Sequence, residues 1–108
     1  MLISTEIQKY ICFSEHSIVD TLKKISDNKA RIIFVVSEHG KLLGSISDGD
    51  VRRWLVDSND LNLNVNAEDV MNKNVQKVLV GTDRNDILEL FRNGIDVVPM
   101  VNSSDHLV

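Results

Sequence analysis

Apolar residues recur along this chain at two spacings, and each spacing predicts a kind of element. Ile18, Leu22 and Ile25 fall at i, i+4 and i+7 with Lys23, Lys24 and Ser26 between them, the pattern of an amphipathic helix that stops at Asp27-Asn28-Lys29. Ser17 and Asp20 stand where a hydroxyl and a carboxylate can cap each other's backbone amides. Tyr10 to Phe13 reads as a short strand ahead of the helix. Arg31-Ile32-Ile33-Phe34-Val35-Val36 reads as a central strand, because an unbroken β-branched and aromatic run of that length suits burial on both faces. Gly40 suits a hairpin turn, and Leu42 to Ile46 forms the return strand. A second helix starts near Asp48, with Val51, Trp54 and Leu55 on its apolar side. The unit is strand, helix, strand, strand, helix.

The same pattern then returns. Displaced by 65 positions, Phe13 falls on Val78, Ser17 on Thr82, Leu22 on Ile87, Ile25 on Leu90, and Ile33-Phe34-Val35-Val36 on Val98-Pro99-Met100-Val101, with no gap. Register kept through strand, helix and strand is the signature of a duplicated supersecondary unit. Thr82 is expected to cap the helix of the second copy, Ile87, Leu90 and Phe91 to form its buried side, and Gly94 to end it. Val97 to Val101 is then the central strand. The Asn- and Asp-rich stretch from Asp57 to Asn66 has neither period and reads as a link, followed by a helical turn from Ala67 to Met71 capped by Asn66. The first repeat therefore spans residues 10–56, the linker 57–74 and the second repeat 75–108. Leu42-Leu43 falls on Leu107-Val108, so the second copy lacks counterparts of Gly44 and beyond, and the chain reads as a piece of a longer protein.

In a chain of 108 residues each half is near the size at which a lone core is marginal, so the halves are expected to share one. No apolar run reaches membrane-spanning length and the first residues lack the form of a secretory signal, which makes cytoplasmic the expected location, with no membrane partner. A net charge of −4 argues against nucleic acid as a partner, since that binding depends on many Lys and Arg. The single cysteine, Cys12, cannot form an internal disulfide and reads as a small buried strand residue. His16, His39 and His106 have no metal-ligand spacing, and no nucleophile, base and orienting group stand in a catalytic order.

One segment carries site-like chemistry. Leu43 to Arg53 is a strand that turns through Gly49 into a helix, and a helix N-terminus favours an anion such as phosphate. Ser47 can donate a hydroxyl to a phosphate oxygen, Asp50 can accept from two neighbouring hydroxyls such as those of a ribose, and Arg52 or Arg53 can add charge. The same Ser47-x-x-Asp50 spacing is also that of a capping box, which needs no ligand. Trp54 reads as a core or interface anchor.

Gly44-x-x-Ser47-x-x-Asp50 at the end of the third strand of a duplicated unit resembles the G-h-h-T/S-x-x-D signature of cystathionine β-synthase (CBS) domains. Met71-Asn72-Lys73-Asn74 and Gly94 to Val101 are similar to family segments as well. The resemblance implies an α/β (α+β) fold in which two β-α-β-β-α repeats, the second incomplete, pack with pseudo-twofold symmetry around ligand clefts. It implies an adenine nucleotide (AMP, ADP or ATP) as regulatory ligand, with Ser47 on phosphate, Asp50 on the ribose and Arg53 adding charge. The adenine would lie near Cys12, Phe13, Arg31 and Ile32, and any Mg²⁺ would arrive with the nucleotide. The module would be regulatory rather than an enzyme, controlling an attached catalytic domain. The wording of Ser47 to Arg53 is similar to CBS pairs of sugar-phosphate nucleotidyltransferases, with sugar-phosphate isomerases as the alternative. A homodimer is expected because an incomplete second repeat leaves an apolar face open, and a ligand-free dimerisation module is the competing reading.

Overall fold

The computed structural model describes residues 7–28, 30–58, 62–95 and 97–108, so Lys29, Asp96 and the Asn59 to Leu61 part of the linker lie outside the described residues. A 3-10 turn, Ile7–Tyr10, leads into β1 (Ile11–Phe13), α1 (Ile18–Asp27), β2 (Ile32–Val36), β3 (Leu42–Ser47) and α2 (Asp48–Asp57). The linker helix α3 (Ala67–Val70) follows, then β4 (Val78–Leu79), α4 (Arg84–Arg92) and β5 (Met100–Val101).

The first repeat is built around a three-stranded sheet of order β1-β2-β3, with β1 and β2 parallel and β2 and β3 antiparallel. Period-two alternation sorts its residues onto two faces. Cys12, Ile33, Val35 and Ile46 join Ile18 and Ile25 of α1 and Ala67 of the linker in one buried cluster. Phe34, Val36 and Leu42 turn the other way and meet Val101, with Val75, Val97 and Leu107 of the second repeat packed around them. The second cluster is thus the core that both halves share.

The two hairpins that follow β2 and β5 join the halves directly. Ser37 and Gly40 close the first turn through Ser37 N to Lys41 O and Gly40 N to Ser37 O; Asn102 and Asp105 repeat both bonds in the second. The turns then exchange bonds: Leu42 N donates to Asp105 O (2.8 Å) and Leu107 N to Gly40 O (3.0 Å). Lys41 pairs with His106 in an antiparallel bridge, so a residue meets its own repeat counterpart. That is the geometry of a local twofold axis. The bridge Val101↔Leu107 likewise matches Val36↔Leu42.

The expected gapless displacement holds for the hairpins but not for the elements before them. Cys12 pairs with Val35 and Phe13 with Val36, whereas Val78 pairs with Met100 and Leu79 with Val101, so β1 maps onto β4 one residue further along. Buried Cys12 then corresponds to buried Val78, and exposed Phe13 to exposed Leu79. The helix cap moves with it. Asp83, not Thr82, caps α4 by accepting from Asn85 N (3.0 Å), while Thr82 Oγ1 donates to Leu79 O. The register is recovered within the helix, because α4 has 9 residues where α1 has 10. Gly94, at φ +89, ends α4 with the paired bonds Gly94 N to Phe91 O and Ile95 N to Leu90 O, an αL stop suited to glycine. The second central strand is shorter than expected, covering Met100–Val101 rather than Val97 to Val101.

Linker and first repeat lock together at Gly44. Ser45 N donates to Asn72 O (2.9 Å) and Asn72 N to Ser45 O (2.8 Å), which brings the backbone after α3 against β3. A Cβ on Gly44 would stand 2.7 Å from Asn72 O and 2.9 Å from Met71 Sδ. Gly44→Ala is therefore expected to destabilise the fold by about 1–3 kcal/mol, the usual cost of overpacking, read as a lower urea midpoint with unchanged slope.

Candidate functional site

The end of β3 passes into α2 without an intervening loop. Ser47 is both the last strand residue and the N-cap, and Gly49 lies inside the first helical turn rather than at a bend as expected from the sequence. Ser47 Oγ accepts from Asp50 N (3.3 Å), and Asp50 Oδ2 accepts from both Ser47 N (2.9 Å) and Ser47 Oγ (3.0 Å). The capping box is complete. The other carboxylate oxygen, Oδ1, pairs with the guanidinium of Arg53 one turn along. Asp50 is only 8% exposed, so a buried carboxylate has both oxygens engaged by its own helix.

A second acid–arginine pair flanks the same helix start. Arg31 Nε donates to Asp48 Oδ2 at 2.7 Å. Arg31 occupies the left-handed region (φ 55), a conformation disfavoured for a residue with Cβ, and Asn28 holds it there. The buried Asn28 side chain accepts from Arg31 N (2.7 Å) and donates to Ile32 O (2.9 Å) and Lys9 O (3.0 Å), pinning the end of α1, the 3-10 turn and the start of β2 at one point. Sequence reading took Asn28 as a helix breaker only. Its sole signal is an amide side chain at a helix end.

The expected binding residues fall into three places. Ser47, Asp50 and Arg53 form one constellation at the N-terminal end of α2, and Ile32 lies beside it because Ile32 and Ser47 are register partners on the same sheet face. Arg31 stands on the other flank of α2, lining a groove between α1 and α2 with Asp48 and Leu55, whereas Asp50 and Arg53 line a groove between α2 and α3. Phe13 is at the opposite end of the sheet: it pairs with Val36, four residues along β2 from Ile32, or about 13 Å at strand spacing. Its exposed ring meets His16 edge-on at 5.3 Å.

Cys12 must be withdrawn from the expected adenine surface. It is 1% exposed and points toward α1, on the face opposite Ile32 and Ser47. Burial pushes its thiol pKa up, against smaller lowering contributions from a Thr21 hydrogen bond and Lys24. Leu55, expected on the apolar side of α2, is exposed, while Val51 and Trp54 pack on the first cluster. Among the described residues no group of three or more His, Cys, Asp or Glu is arranged to hold a metal ion, and no helix is long and apolar enough to cross a membrane.

The cap and the cysteine each yield a test. Ser47→Ala is expected to cost about 1 kcal/mol of stability in chemical denaturation, the usual loss for an N-cap hydroxyl. Because the unfolded chain gives up the Cys12 proton before the folded one does, the thiol's contribution is present at neutral pH and is lost as pH rises above about 8.5. Urea midpoints should fall less steeply with alkaline pH in Cys12→Ala than in the parent.

The fold and this motif have known counterparts. The CBS domain family matches residues 6–57 and again 67–108. No curated protein matches the chain in sequence. Among solved structures, CbpB from Streptococcus agalactiae is similar with a TM-score of 0.80 at 14% identity, covering 98% of this chain and 68% of that one. CBSX2, solved in complex with AMP, gives a TM-score of 0.70 at 19% identity over 94% of this chain and 79% of its own. The cytosolic domain of the Mg²⁺ channel MgtE, solved in complex with ATP, gives 0.64 at 21% identity over 93% of this chain and 40% of its own. At these identities the likeness is one of fold, and with two family matches in tandem the chain belongs to the CBS domain family as a CBS pair.

Proposed function

We propose that this chain is a regulatory CBS pair that binds an adenine nucleotide (AMP, ADP or ATP) at the start of α2 and reports occupancy to an attached catalytic domain. It performs no catalysis itself. The observation that carries the reading is the surroundings of Asp50: a nearly buried carboxylate beside a hydroxyl, at a helix N-terminus, with the Arg53 guanidinium in contact and a second arginine, Arg31, on the far flank. Carboxylate oxygens suit a ribose diol, while the helix start, Ser47 and the guanidinium suit phosphate. Ile32, on the same sheet face as Ser47, offers apolar surface to a base. Proteins of similar fold have been solved with AMP and with ATP, which supports the ligand class.

A nucleotide can regulate only by binding two arrangements of the module with different affinity. The paired hairpins and shared cluster couple the halves, so a change at the start of α2 can reach the second repeat through β3 and its bond to the hairpin at Asp105. The attached domain is proposed to be a sugar-phosphate nucleotidyltransferase, from the wording of Ser47 to Arg53.

A second reading is favoured by the completeness of the capping box, which accounts for Ser47 and Asp50 with no ligand at all. It makes the pair a dimerisation module. Calorimetric titration with AMP, ADP, ATP and GTP separates the two. We expect saturable binding of an adenine nucleotide and a matching rise in melting temperature. Asp50→Ala should weaken it by about 1.5–3 kcal/mol, the range for hydrogen bonds to a charged group. Unchanged affinity in a folded Asp50→Ala protein would remove Asp50 from the site, and no binding by the folded parent leaves the dimerisation reading.

A further inference from the structure

We infer that Arg53 is a specificity-determining latch that makes the site select phosphorylated nucleotides over nucleosides; the inference rests on the nucleotide reading above. Three observations lead to it. Asp50 Oδ2 is committed to Ser47 N and Oγ, so Oδ1 is the oxygen left for an incoming hydroxyl, and Arg53 Nη2 occupies it. The carboxylate is 8% exposed while the arginine side chain is 66% exposed, so the cap is fixed and the guanidinium is the part free to leave. The guanidinium also lies back over the first turn of α2: a Cβ on Gly49 would stand 3.7 Å from Arg53 Nη1 and 3.7 Å from Ser47 Oγ. Arg53 therefore covers the helix start, where an anion would sit, and neutralises the carboxylate that a diol would need.

A ligand must break this pair to reach Asp50. A nucleoside offers two hydroxyls to the carboxylate but nothing to the displaced guanidinium, so the released charge goes uncompensated. A nucleotide offers both: its diol replaces Arg53 on Oδ1 while its phosphate receives the guanidinium, which can bond it through a planar fork. Selection for phosphate then comes from exchanging one ion pair for another, rather than from added positive charge alone. The two explanations differ in sign for the ligand that carries no phosphate. Simple charge attraction leaves adenosine binding unaffected by Arg53, whereas a latch means that Arg53 opposes it.

The test is calorimetric titration of the parent and Arg53→Gln with adenosine and with AMP, with adenosine read by competition against AMP where direct heats are small. Circular dichroism melts confirm folding of both. We expect Arg53→Gln to bind adenosine about 3- to 10-fold more tightly than the parent and AMP more weakly, with the AMP-to-adenosine ratio falling at least tenfold. Adenosine affinity unchanged or lowered in Arg53→Gln overturns the latch, even if AMP binding weakens. Absence of both ligands' binding in the folded parent overturns the nucleotide site and the latch with it. Arg53→Lys supplies a second reading: it keeps the charge without the fork, and should show tighter adenosine binding while retaining part of the preference for AMP.

Discussion

Neither half of this chain can bury its own sheet, and the pair of backbone hydrogen bonds exchanged between the two hairpins is the constraint that resolves this. Leu42 N to Asp105 O and Leu107 N to Gly40 O fix the halves about a local axis, and with that axis fixed, Phe34, Val36 and Leu42 meet Val101 in a common core. Backbone groups are obligatory donors and acceptors once buried, so the joint tolerates little slippage. Within the first repeat the β2–β3 register is fixed in the same way: a shift by one residue there would turn the inward side chains of β3 outward and take Ser47 away from Ile32. The site at the head of α2 takes its position from that pairing, because β3 runs straight into the helix.

Around that site charge is arranged in alternation. Asp48 and Asp50 sit in the first turn of α2, where negative charge is favoured by the helix dipole, and each carries an arginine, Arg31 for one and Arg53 for the other. The arginines come from different elements and face different grooves. The Arg31 backbone is held by Asn28 in a left-handed conformation, while Arg53 extends from a regular helical turn, and both side chains are more than half exposed. The Arg31 pair rests on a half-exposed carboxylate and the Arg53 pair on a buried one. The two aspartates therefore differ in burial although they stand two residues apart in one helical turn.

Much of this was legible in the sequence, and the failures have physical causes. Apolar periodicity located both helices and the central strand of the first repeat, and the Ser47-x-x-Asp50 spacing located the cap, because these patterns are local. The displacement between copies was misjudged by one residue before the hairpins, since rows of Val, Leu and Ile match almost as well one step out of register. Only strand pairing and the shorter α4 expose the slip. Cys12 was legible as a buried strand residue, but its place near the adenine came only from the family resemblance, and a three-residue strand is too short for its alternation to declare which face it lies on. The role of Asn28 depends on bonds to Lys9, Arg31 and Ile32, and the left-handed Arg31 has no sequence signature, so neither was readable. The Asp50–Arg53 pair was readable, as an acid and a base three apart on a helix.

The two copies of the hairpin turn reach one backbone shape by different chemistry. Gly40 adopts φ +85 through lack of a side chain, whereas Asp105 adopts φ 64 and ties its carboxylate to Lys77 at 2.8 Å, an interaction that lowers its pKa. After a duplication, one copy can keep the freedom of glycine while its twin trades that freedom for an ionic tie to the residue just ahead of its own first strand. The axis that relates the repeats is consequently symmetric in geometry and asymmetric in what disturbs it: salt and acid act on the Asp105–Lys77 tie, which has no counterpart at Gly40.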